Sequence, residues 1–381
     1  MLNPSLEERR SLLDRFNRRV DEGQLSDAPT KAWVGKALRR EGAARCPIRL
    51  KSLSYDVILR YGDELADLFA TYPDDIVSVP AYELFVGYPP GGLEGPIDTV
   101  KVLTESAEWT DEWGTRWAHA AGGVGATPIR VPLVDWSELD EYLARRIPDP
   151  AAPGRLDGAL HALRLHGATR YFAGWAHMTL FERLHCLHGM ESTLEDLYAS
   201  PRETERLLDG LVGYYLELIR AWARLGNVDV LLMTDDWGSQ SALMIAPGMW
   251  RRVFAPRYRL LCDEAHRQGL QVGFHSCGHV LPIIGDLIDA GVDIMNPLQP
   301  EAMDLRVVAR EYGGKVAFWG GLSDQAVASY TPTQVRDEVR RTIDLLGAPF
   351  GNAYVLALSN VMMPEVPWDN IVALVEASHD Q

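Results

Sequence analysis

The stretch LQVGFHSCGHVLPIIGDLIDAGVDIMNPLQP, residues 270–300, decides the fold. It opens on a short apolar run, LQVGFH (270–275), of strand length and composition. After a polar loop comes PIIGDLIDAG (282–291), a helix closed by Gly291, and then a second buried run, VDIMN (292–296). Strand, loop, helix and strand follow one another within some thirty residues, the unit from which α/β folds are built.

The unit recurs on both sides. Upstream lie the helix LELIRAWARLG (216–226), the strand VDVLLM (228–233) and a helix spanning 247–268. Downstream come a helix (304–313), the strand KVAFWG (315–320), a helix (331–347) with Thr331 as N-cap and Pro332 at its first position, the strand AYVLAL (353–358), and a last helix from Trp368 to about Ser378. The first half adds three strands, PIRL (47–50), DIVSVP (75–80) and TRYFAGW (169–175). Eight strand–helix units predict a closed (β/α)8 TIM barrel of class α/β, and no GxGxxG or P-loop follows any strand to favour an open doubly wound sheet. Two segments lie outside the repeat. Residues 1–40 form an N-terminal helical extension, and residues 81–150 form an inserted excursion between the second and third strands. The excursion is rich in Gly, Pro and Trp, including YELFVGYPPGGLEGP (82–96) and DEWGTRW (111–117), and its length predicts that Tyr82, Trp113 and Trp117 cover the barrel mouth. The whole chain, 1–381, is expected to be one domain.

Charge and cysteine content narrow the partners. Lys and Arg number 37 against 53 Asp and Glu, a formal charge of −16. That field repels polyanions, so no nucleic-acid partner is expected. No run of about 18 apolar residues predicts a membrane span. The charged first residues lack a signal peptide's apolar core, and four cysteines, Cys46, Cys186, Cys262 and Cys277, are too few for a disulfide framework. A cytoplasmic location and a small-molecule substrate are therefore expected.

A barrel gathers its chemistry at the C-terminal ends of its strands. Six such ends here carry polar or metal-capable groups: Ala176-His177, Thr234-Asp235-Asp236-Trp237-Gly238, His275-Ser276-Cys277-Gly278-His279, Asn296 to Glu301, Gly320 to Asp324, and Ser359-Asn360. His275 and Cys277, separated by one residue, can turn an imidazole and a thiolate towards one ion, a pair suited to zinc; a small buried thiol beside a core histidine is the structural alternative. Asp235 and Asp236 are paired carboxylates, either of which can bind a cation, act as a base, or merely cap a loop. With His275 they are the catalytic candidates. Asn296 and Gln299 can orient a ligand by hydrogen bonds, although Asn-Pro is equally a turn signal. His177, Asn360 and the aromatic rings of Trp113, Trp237 and Trp319 complete the substrate-binding candidates; with Trp175 these tryptophans can line a flat or apolar pocket, although singly each is more often core. His185, Cys186 and His188 fall on a helical stretch and read as structural.

These residues carry a resemblance. LLMTDDWGSQSALMIAPGMWRRVFAPRY (231–258), GFHSCGHV (273–280), GVDIMNPLQPEAMD (291–304), VAFWGGLSDQ (316–325) and YVLALSN followed by PEVPWDNI (354–371) resemble the uroporphyrinogen decarboxylase superfamily. The likeness is greatest to its branch of methylcobamide:coenzyme M and related corrinoid-linked methyltransferases, and REGAARCPIRL (40–50) and DEWGTRW fit the same pattern. The resemblance implies a (β/α)8 barrel and methyl transfer between a corrinoid-bound or small-molecule donor and a thiol or folate acceptor, with a corrinoid-binding protein as partner. It also implies zinc on a His-x-Cys pair, matched by His275 and Cys277, and on a later Cys, whose place is taken here by Asn360. An amide is a poor zinc ligand, so zinc is expected to bind weakly unless Asp236 or Glu301 approaches. The Arg-rich N-terminal motif of the decarboxylase proper is absent, with only Arg45 and Arg49 in that region. Metal-independent decarboxylation of a tetrapyrrole or aromatic acid is the second enzymatic reading, and non-catalytic tetrapyrrole or corrinoid binding the third.

Overall fold

Short runs of near-continuous apolar residues, each followed by an amphipathic helix, leave the strands one arrangement that buries both faces: side by side, with helices outside. The computed structural model, which describes residues 4–78, 100, 104–121 and 125–381, shows this arrangement. Seven parallel strands pair in the order β1 (Ile76–Ser78), β5 (Tyr171–Ala176), β6 (Val230–Thr234), β7 (Gln271–His275), β8 (Ile294–Leu298), β9 (Ala317–Gly320) and β10 (Tyr354–Val355). The remaining strands, β2 (Ala107–Thr110), β3 (Arg116–His119) and β4 (Thr127–Arg130), form a separate antiparallel sheet within the excursion.

The strand expected at 47–50 joins the two edges of the parallel sheet without becoming a regular strand. Ile48 bridges Leu356, whose amide donates to the Pro47 carbonyl at 2.7 Å, while on the other flank the Asp75 amide donates to the Ile48 carbonyl at 3.0 Å. Its irregularity has a cause. Pro47 offers no N–H, the Ile48 amide is taken by the Asp75 carboxylate at 2.9 Å, and the amides of Leu50 and Lys51 go to Asp74 at 2.8 and 2.9 Å. Side-chain carboxylates thus occupy donors that a ladder would use.

Strand phase divides the core in two. Val230, Leu232, Ile294, Ala317, Trp319, Ala353 and Val355 pack along the barrel axis. Leu231, Met233, Val272, Phe274, Met295 and Phe318 point the other way, into the shell shared with the helices. The N-terminal extension consists of helices Leu6–Ser26 and Lys31–Leu38. The second of these sends Val34 and Leu38 into the axial cluster, and the amides of Thr30 and Lys31 donate to the Thr169 carbonyl just before β5, so the helix stoppers the end of the barrel opposite the strand C-termini. The helix expected over 247–268 is broken into Pro247–Val253 and Ala255–Arg267, with Pro256 opening the second piece. Among the described residues no helix is long and apolar enough to cross a membrane.

Candidate active site

The inward strand phase selects which polar residues reach the mouth. On β6, Val230 and Leu232 face the axis, and the same alternation carried past the strand brings Asp236 inward and turns Asp235 and Trp237 outward. On β7 it turns His275 and Cys277 inward, and on β8 Asn296. The ligating atoms of Asp236, His275 and Cys277 accordingly lie within 4.8 Å of one another, all three residues half-buried. His275 Nε2 is 3.9 Å from Asp236 Oδ1 and 3.6 Å from Cys277 Sγ. The other ring nitrogen, Nδ1, donates to Asn296 Oδ1 at 2.6 Å, so Nε2 is the nitrogen that faces these two neighbours.

Two loops hold this group. The Cys277 amide donates to Asp236 Oδ1 at 2.7 Å, the Trp237 amide to Ser276 Oγ at 2.9 Å, and the His279 amide to the Ser239 carbonyl at 2.8 Å. They meet at two glycines: a Cβ on Gly238 would stand 2.4 Å from the His279 nitrogen, and one on Gly278 2.4 Å from the Gly238 carbonyl oxygen. Gly278 also sits at φ +81°, where a side chain is strained. Gln299 contributes by accepting the Gly278 amide, so it supports the loop that presents Cys277.

Asp235 does different work from its neighbour. It is fully buried, and its carboxylate accepts the amides of Leu180, Phe181 and Glu182 at 2.9, 2.8 and 2.6 Å together with the Tyr258 hydroxyl. It therefore caps the helix Phe181–His188 and ties it to β6. Asp235, expected to be catalytic, is placed by the structure inside the wall between β6 and this helix, with these four donors around its carboxylate. Trp237, expected to bind substrate, is likewise wholly buried, stacked on Phe181 at 4.4 Å with its indole N–H donated to Tyr258 Oη at 3.0 Å. Trp319 belongs to the axial core at 4% exposure. Trp113, within the excursion, is buried edge-on to Tyr214 at 4.7 Å and under the Arg183 guanidinium at 4.6 Å. Asn360 is exposed at the rim, its side-chain oxygen accepting the Val361 amide at 2.8 Å. Glu301, named as a further metal ligand, lies outside the three-residue group and accepts the Ser323 hydroxyl instead.

His177 extends the inward phase of β5 and stacks on Trp175 at 5.2 Å, and Trp175 in turn lies 6.0 Å from the His275 ring. Burial, and secondarily His275 and Arg183, push His177 down to about 3, so it stays neutral. One acidic member of the site was not singled out from the sequence. Glu182, in the first turn of Phe181–His188, is pushed up to about 8 by burial and by the Asp236 and Asp235 carboxylates. The signal that could have found it is its place in the loop-to-helix turn after β5, five residues beyond His177.

The excursion docks on this same helix. Trp109 and Trp117 pack against Cys186, and Asp111 accepts Trp117 Nε1 at 2.9 Å while lying 3.5 Å from Arg183 Nη1. Tyr82 and the rest of 82–96 lie outside the described residues.

Asp236, His275 and Cys277 supply oxygen, nitrogen and sulfur donors, a set that suits a zinc ion, and the Asn296 contact fixes the imidazole as metal-bound histidines are commonly fixed. Burial, followed by Asp236 and Glu182, raises the Cys277 thiol well above its ordinary range, and a cation at this point would reverse that shift.

An α/β barrel with a polar group at the strand C-termini is the class these observations define. A family model described as Uroporphyrinogen decarboxylase (URO-D) matches residues 175–381, more than half of the chain, and the chain belongs to that family. A curated relative, the uroporphyrinogen decarboxylase of Methylibium petroleiphilum, is 29% identical over 194 residues, 48% of each chain, so the match spans about half the length of that relative. Among solved structures, a methyltransferase from Methanosarcina mazei superposes with a TM-score of 0.67 at 17% identity, covering 93% of this chain and 99% of the other, a likeness of fold.

Proposed function

We propose that this chain is a methyltransferase, moving a methyl group from a corrinoid-bound or other small-molecule donor to a thiol or folate acceptor. The observation that carries the reading is the gathering of Asp236, His275 and Cys277 within 4.8 Å at the strand C-termini. These three residues would hold zinc, and that ion, when bound, lowers the pKa of an acceptor thiol and presents it as thiolate. The chain's own residues prepare the site. Asn296 sets the His275 tautomer, the interlocked loops fix Cys277 against Asp236, and Trp175 with neutral His177 forms an aromatic wall beside the imidazole. With a thiol acceptor the reaction is substitution at carbon: the S–C bond forms as the donor–carbon bond breaks, the bonding pair leaves with the donor, and the thiol proton passes to water.

Decarboxylation is the second reading, supported by the likeness to the Methylibium petroleiphilum enzyme. The arginines offer it limited support. Arg45 is paired with Asp75 at 2.6 Å and lies over Trp33 next to the stoppered end, while Arg49 donates to Ser78 Oγ at 2.9 Å. The test is zinc-supplemented protein with free methylcobalamin and a panel of thiols, followed by the loss of methyl-corrinoid absorbance. Turnover that disappears in Cys277→Ser and His275→Ala supports methyl transfer. Full turnover in Cys277→Ser, or release of carbon dioxide from a carboxylated tetrapyrrole with no thiol methylation, overturns it.

A further inference from the structure

Most of the tryptophans are buried, and the half-buried ones have different surroundings. Trp33 lies beneath the Arg45 guanidinium next to the stoppered end. Trp136, in the excursion, rests on His188 at 4.0 Å, and Trp368, in the last helix, on Tyr61 at 5.3 Å. Trp175 alone combines partial exposure with an inward place near the strand C-termini.

Strand phase puts it there. On β5, Tyr171 and Ala173 belong to the axial cluster and Trp175 packs against it, whereas Phe172 and Ala176 face the helices. The Trp175 ring is nearly parallel to that of His177, at 5.2 Å and 18°, and stands 6.0 Å from the His275 ring. A half-buried indole thus adjoins the group formed by Asp236, His275 and Cys277.

The charge beside this indole is negative. The half-buried Asp236 carboxylate stands 3.9 Å from His275 Nε2, while burial holds His177 neutral. The guanidiniums of the flanking elements are engaged with other groups: Arg183 with Asp111 at 3.5 Å and the face of Trp113, Arg49 with Ser78 Oγ at 2.9 Å and with Asp74 4.0 Å away. An aromatic face next to a carboxylate attracts a positive group through the ring quadrupole.

We propose that Trp175 is a specificity-determining residue that takes an onium group, the methyl donor carrying its methyl on a positively charged nitrogen or sulfur. The inference rests on the methyl-transfer reading given above and names the class of small-molecule donor. The acceptor sulfur attacks the methyl carbon, and its bond to carbon forms as the donor's carbon–nitrogen or carbon–sulfur bond breaks. The bonding pair leaves with nitrogen or sulfur as a neutral amine or sulfide, and the thiol proton passes to water.

The test starts from binding to zinc-supplemented protein. Choline, its sulfonium analogue and its uncharged isostere, in which carbon replaces the charged nitrogen, are titrated by calorimetry into wild type, Trp175→Phe and Trp175→Leu, each checked for folding by circular dichroism. Wild type is expected to bind either cation about 3–30-fold more tightly than the isostere. Trp175→Leu should lose that preference and Trp175→Phe keep part of it. In wild type, the indole N–H resonance that Trp175→Phe removes should shift on adding choline, a readout that holds even if Trp175→Leu fails to fold. Equal affinity for cation and isostere, binding of neither, an unmoved Trp175 resonance, or an undiminished preference in Trp175→Leu overturns the proposal. Incubation with a thiol and detection of the methyl thioether then tells an ammonium donor from a sulfonium donor. Thioether formed from methylcobalamin and from neither cation overturns the onium as donor. Cation binding lost in Trp175→Leu, with no thioether from any donor, supports the cation subsite and counts against methyl transfer alone.

Discussion

His177 shows how burial sets a side chain's charge at this site. It is held neutral by desolvation first and by His275 and Arg183 second, with its folded value near 3 against about 6.5 in the unfolded chain. A histidine depressed in this way favours the fold in full above the unfolded value, and its contribution is lost as the pH falls through the window from about 6.5 towards 3. Wild type should therefore lose stability steeply on the acid side. His177→Gln should flatten that slope between about pH 6.5 and 4, read from urea midpoints at each pH. An equal slope in the two proteins would show that another group governs acid unfolding.

Adjacent aspartates serve different elements. Asp235 ties three helix amides and Tyr258 to β6, whereas Asp236 reaches across to the β7 loop. Asp235→Ala leaves buried donors unpaired and is expected to cost about 3 kcal/mol or more. Asp236→Ala, at a half-buried position, should cost about 1 kcal/mol or less and chiefly weaken metal binding. Thermal melts of the metal-free variants separate the two, and equal losses would contradict the division. This division was not drawn from the sequence, where both residues stood as catalytic candidates. The missing information was strand phase: Val230 and Leu232 on one face and Leu231 and Met233 on the other are all apolar, so the run itself carries no alternation. The same phase explains Trp237, which shares Asp235's outward side.

At the scale of the molecule the barrel is stoppered at one end and chemically equipped at the other. Val34 and Leu38 fill the first end from outside the repeat. Leu38→Ala is expected to cost about 2–4 kcal/mol, measured as a shift in urea midpoint, because the helix Lys31–Leu38 is held where it is and the cavity cannot fully collapse. A loss below about 0.5 kcal/mol would mean that the helix adds little to the barrel. At the other end the excursion reaches the site through a helix: Asp111 to Arg183, and Arg183 adjoining Glu182.

Seven of the eight expected strands, the helices between them and the polar strand ends were legible in the sequence because each depends on local pattern: short apolar runs, helical periodicity, glycine and proline at boundaries. The pair His275 and Cys277 was legible for the same reason, two residues apart at one strand end. The regular strand expected at 47–50 and the unbroken helix expected at 247–268 were not, because Asp74, Asp75 and Pro256 compete locally with the backbone pattern. Glu182, Asn296 as the partner of His275, and the separate duties of Asp235 and Asp236 were decided by tertiary structure alone. They depend on which face of a buried strand looks along the barrel axis and on which helix turn is pinned to its neighbour. Contacts such as Glu182 to Thr234, 52 positions apart, exist only after the strands have closed into register.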